Sequence, residues 1–193
     1  MSWSCFWIFS RLPAGSEAQV DALLQAAVDQ KLTPEVSAAI QAVERDPELL
    51  TDDYDAGNVN RVLMPFARPS VGIDVLNDLD AIVDFTKNSK VHVGLDRVPP
   101  FSALFYALGP NRAARLPGRF GNMVIPATRL RAVRDEVSAV FTEDPTGILE
   151  RARRVFFGTD PWGDAPKLLA VLPKALDDAV EAGTGLVGFG HSV

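Results

Sequence analysis

Cysteine and histidine are almost missing from this chain: Cys5, His92 and His191 are all it has in 193 residues. One cysteine excludes an intramolecular disulfide. Three such residues fall short of the four ligands, drawn largely from Cys and His, that a zinc site takes. No metal and no cofactor is expected. Two histidines leave little for Ser-His-Asp chemistry, and no Gly-x-Ser-x-Gly elbow is present. Both histidines read as structural or solvated, with His92 the obvious acid or base if chemistry exists. Long apolar runs are missing too: none reaches the roughly 18–20 residues that span a bilayer. The lone thiol and the missing span predict a cytoplasmic protein without membrane contact.

Basic charge is also scarce. The net charge is −6, which argues against general binding to nucleic acid, a process driven by neutralising phosphates. The deficit is uneven. Residues 1–58 carry three basic and ten acidic groups, whereas residues 110–134 carry six arginines (Arg112, Arg115, Arg119, Arg129, Arg131, Arg134) and no acid. That block is the one place where the sequence concentrates positive charge. Its alternatives are a solvated face paired with acidic flanks and an anion site.

What is present begins with a strand. Trp3, Cys5, Trp7 and Phe9 alternate with Ser2, Ser4, Phe6, Ile8 and Ser10, and alternation puts the first set on one face of a strand. Phe6 and Ile8 make the other face apolar, so an inner strand covered on both sides is expected. No charge precedes Arg11 and a Pro-Ala-Gly-Ser turn follows at 13–16, so a structural strand is predicted here and not a secretory signal. Ser16 with Gln19 reads as a capping box opening a helix to about Lys31. Thr33-Pro34 starts a second helix, and Asp52, Asp53, Asp55 and Asn58 fall in an acidic turn. Their spacing does not match a calcium loop, which needs glycine at position 6 and glutamate at 12.

Further along, helices are predicted over 75–85, 99–108 and 130–141, with Leu130, Val133, Val137 and Val140 giving a clean 3.6 period. Lys90 to Leu95 alternates as a strand, and 109–122 reads as loop because it holds Gly109-Pro110, Pro117-Gly118 and Gly121-Asn122. Asp144-Pro145 and Asp164 each open a helix, the second one kinked at Pro173. Gly183-Thr-Gly185-Leu-Val-Gly188 spells a dinucleotide loop, but it follows a helix where that loop must follow a strand. It is read as a helix stop and a glycine-rich strand. Trp162, in the turn 158–163, is the candidate interface anchor, against the alternative that it folds back on the core.

Gly118-Arg-Phe-Gly-Asn122, then Ile125-Pro126 before the helix of Val133 and Val137, then Asp160-Pro161-Trp162, a long helix and an apolar strand after Ala182-Gly183 follow one another in order. This layout resembles the YfbM-like family of bacterial proteins, small mixed α and β proteins without an assigned activity. The resemblance implies an α+β fold and no catalytic residues.

The sequence therefore predicts one α+β domain over 1–193. A small mixed sheet including the N-terminal strand packs with about six to eight helices. Two functions stand side by side. One is an acidic cytoplasmic protein-binding module of the immunity-inhibitor type, without catalysis, steered to a basic protein partner. The other is an enzyme or sensor for an anionic small molecule held by Arg112, Arg115 and Arg119, since guanidinium matches phosphate and carboxylate bidentately. Where those arginines point discriminates the two.

Overall fold

The hydrophobic alternation of residues 4–12 becomes the inner strand of a four-stranded sheet. The structure is a computed structural model and describes residues 4–30, 32–45, 71–88, 90–96, 99–155 and 164–192. Its strands are β1 (Ser4–Leu12), β2 (Lys90–Asp96), β3 (Met123–Ile125) and β4 (Gly185–Ser192). They lie in the order β2-β1-β4-β3, and all three pairings are antiparallel. Among the described residues the expected mixed character is confined to one parallel bridge, Val71 to His191. Among the described residues the helices are α1 (Glu17–Asp29), α2 (Pro34–Arg45), α3 (Ile73–Val83), α4 (Pro100–Leu108), α5 (Pro110–Ala113), α6 (Leu130–Thr142), α7 (Pro145–Val155) and α8 (Ala165–Ala182). The fold is α+β. No described helix is long and apolar enough to cross a membrane.

Both faces of the sheet are apolar, and each is covered by helices. Trp7, Phe9, Val93, Leu95, Met123, Ile125 and Leu186 face a large cluster built with α4, α6, α7 and α8. Leu12, Val187 and Phe189 face a smaller one with Val20 and Leu24 of α1 and Leu79 and Val83 of α3. Cys5 is buried, as a small hydrophobe in an aromatic strand should be.

The glycines of β4 have a packing explanation. Phe9 lies opposite Gly188 across the β1–β4 pair. A Cβ on Gly188 would sit 2.7 Å from Cε1 of Phe9, so the phenyl ring occupies the space a side chain would need. Gly183 takes the left-handed conformation that ends α8, with its N–H on the carbonyls of Ala179 and Val180. The glycine spelling is thus a helix stop and a strand surface, as the sequence predicts.

Three local expectations differ. Ser16 makes no capping hydrogen bond. Its backbone is helical and not extended (φ −92°, ψ −3°), so its hydroxyl turns back and donates to the carbonyl of Pro13 at 2.7 Å. Residues 110–113, expected as loop, form one helical turn because Pro110 supplies the fixed φ of a first helical position. The helix expected over 75–85 covers Ile73–Val83. Asp164 does cap α8, accepting from the N–H of Lys167 at 2.7 Å, and that helix continues through Pro173.

Candidate functional site

The arginine block divides. Arg112 sits in α5 and Arg115 in the turn after it, and both border a cavity of about 540 Å³ lined also by Gly109, Pro110, Glu143 and Arg151. Arg119 lies at a different, smaller cavity beside α1. The predicted trio is therefore a pair plus Arg151, which the sequence reading missed. Arg151 reaches the cleft from α7, far along the chain from the other two.

Each guanidinium has a defined anchor. Arg112 donates through Nε to Glu143 at 3.2 Å and through Nη1 to the carbonyl of Leu108 at 3.3 Å. Arg115 donates through Nη1 to the other oxygen of Glu143. Arg151 donates through Nε to the carbonyl of Ala107 at 2.8 Å and pairs through Nη2 with Asp144 at 3.2 Å. Ala107 and Leu108 are the last residues of α4, whose final carbonyls lack helical partners, so two of the three cations cap that helix end. Nη2 of Arg112, Nε and Nη2 of Arg115 and Nη1 of Arg151 have no protein partner among the described residues.

The carboxylates here are held ionised. Hydrogen bonding from Arg115 keeps Glu143 below the ordinary glutamate range, with Arg112 adding to it. The backbone N–H of Gly147 does the same for Asp144, with Arg151 second. Three guanidiniums against two carboxylates leave the cleft positive in a protein whose net charge is −6. A carboxylate already spans Arg112 and Arg115, one oxygen to each, so the spacing of the pair suits an oxyanion.

The other candidates lie elsewhere or outside the described residues. His92 is exposed on edge strand β2, opposite Ile8, with its ring edge-on to Phe6 at 6.2 Å. His191 is buried on β4 with Nδ1 3.0 Å from the carbonyl of Val71. A carbonyl only accepts, so the tautomer with a proton on Nδ1 satisfies that contact. His191 is structural. Neither ring lines the arginine cleft. Trp162 and the acidic turn Asp52–Asn58 fall outside the described residues. Among the described residues no group of three or more His, Cys, Asp or Glu is placed to hold a metal ion. Comparison with protein-family models, curated proteins and solved structures found no match, so no relative bears on the resemblance to the YfbM-like layout.

Proposed function

We propose that the protein binds an anionic small molecule, carrying a phosphate or carboxylate group, in the cleft of Arg112, Arg115 and Arg151. One observation carries this reading: three guanidiniums from two separate stretches border one cavity and retain unspent N–H donors. Arg119 has no part in it. The role is binding or sensing. The lining carboxylate of Glu143 is a weak base while two arginines hold it. The other reading, an acidic module docking on a basic protein, draws on net charge alone. Half of the ten acids in residues 1–58 lie at 46–55, outside the described residues.

The test is calorimetric titration at low salt with inorganic phosphate, pyrophosphate and succinate, run on the parent and on an Arg112→Ala/Arg115→Ala variant. At least one probe should bind the parent, and the double variant should bind it more weakly by at least roughly tenfold. Its unliganded melting temperature should fall only slightly, since it loses exposed ion pairs and one long hydrogen bond to the end of α4. Equal affinity in both proteins, or no binding by the parent, would sink the reading.

Glu143 competes with any such ligand for Arg112 and Arg115. Glu143→Gln should therefore tighten binding of the same anion by roughly three- to tenfold. Acid should act in the same direction. Glu143 stays ionised to lower pH than an ordinary glutamate, so its release of the arginines comes only as pH falls below the usual range. Sulfate, still an anion there, should bind more tightly as pH drops. Glu143→Gln should lose the share of that pH dependence that Glu143 supplies, leaving the share from Asp144 on Arg151.

A further inference from the structure

Arg119, set apart from the anion cleft, borders a cavity of about 200 Å³ together with Asp21 and Gln25 of α1 and with Asn122. Leu24, Val28 and Met123 give it an apolar floor. Charges of both signs border it, yet Asp21 and Arg119 form no ion pair with each other or with any other described residue. The guanidinium of Arg119 lies 5.3 Å from the ring centroid of Phe120, a contact that orients it and leaves its N–H donors unspent. Asn122 is 6% exposed, and its Oδ1 is a buried acceptor without a partner among the described residues. Its Nδ2 is 3.5 Å from the carbonyl of Arg119. A buried acceptor left without a donor costs free energy.

We infer that this cavity is a second small-molecule site, for a zwitterion of the α-amino acid class. The ligand carboxylate meets Arg119. Its ammonium meets Asp21. The floor of Leu24, Val28 and Met123 takes an aliphatic side chain. A ligand with only one of the two charges satisfies one wall and leaves the other solvated. This site is independent of the anion cleft, and neither proposal needs the other.

The experiment is an NMR titration of isotope-labelled full-length protein with L-leucine, L-glutamine and L-serine in turn. At least one should shift the amide signals of Gly118, Gly121 and Asn122 to saturation. The analogue of that amino acid lacking the amino group, and the one lacking the carboxylate, should each bind at least roughly tenfold more weakly. Arg119→Gln and Asp21→Asn should each weaken binding by a similar factor. Both side chains are exposed, so both variants should keep the parent's dispersed spectrum. Arg112→Ala/Arg115→Ala should bind as the parent does. No saturable shift with any of the three, single-charge analogues as tight as the amino acid, or variants that bind unchanged would each overturn the inference.

Discussion

Trp7→Ala should lower stability by about 3–5 kcal/mol, a large share of what a domain of this size has. The indole is 1% exposed. It lies 4.5 Å from Phe9 and meets Phe101 edge-on at 5.7 Å, an arrangement that adds to the burial itself. Its Nε1–H donates to the carbonyl of Gly121 at 2.8 Å, in the buried interior. Truncation opens a cavity and orphans that carbonyl. Trp7→Phe separates the two effects, because it keeps most of the volume and loses the donor, at about 1–3 kcal/mol. Urea unfolding of the three proteins checks this: both midpoints should fall, the alanine's further, with the slope unchanged. A Trp7→Ala protein that unfolds at the parent's midpoint would refute the placement of β1.

Gly118→Ala should cost about 2–5 kcal/mol, from two separable sources. Gly118 has φ +80°, where an L-residue is disfavoured by about 1–2 kcal/mol. Its new Cβ would also lie 2.2 Å from the carbonyl oxygen of Asn122 and 2.6 Å from Cβ of Met123. Neither atom is the free end of a side chain, so the start of β3 itself must move, at about 1–3 kcal/mol. Gly15→Ala is the control. Gly15 has φ +85° but nothing within 4 Å of the new Cβ, so only the backbone penalty applies. If both variants lose the same stability, the clash at Gly118 is relieved without cost and the tight packing of this loop is refuted.

The sequence made the elements with a regular period legible. β1 follows from its alternation, and α6 from Leu130, Val133, Val137 and Val140, all buried. The glycine stretch 183–188 was readable because its neighbours in sequence rule out a nucleotide loop. What stayed hidden depends on tertiary placement. Arg112 and Arg115 are three apart and stay together, but Arg119 is carried away by the turn at 119–122, where Phe120 and Gly121 both have positive φ. A phenylalanine gives no signal for that conformation, which usually belongs to glycine or asparagine. Arg151 was hidden for a related reason. It follows the helical stripe of Ile148 and Ala152 as an ordinary charged flank, and only the crossing of α7 with α4 brings it to Ala107.

The pairing of β1 with β4 joins Cys5 to Ser192 and Leu12 to Gly185. Contacts this distant along a chain are slow to form, because the loop between them must close before they stabilise anything. During synthesis the apolar stretch from Cys5 to Phe9 is made well before either partner: β2 can join it once residue 96 is free, but its other edge stays unpaired until residue 192 is free. The helices α6 to α8 follow one another in sequence and can gather while that edge of β1 waits. For that interval an aromatic segment with high strand propensity is open to other chains. Yield on overexpression should then depend on synthesis rate and chaperone supply more than on the stability of the finished fold.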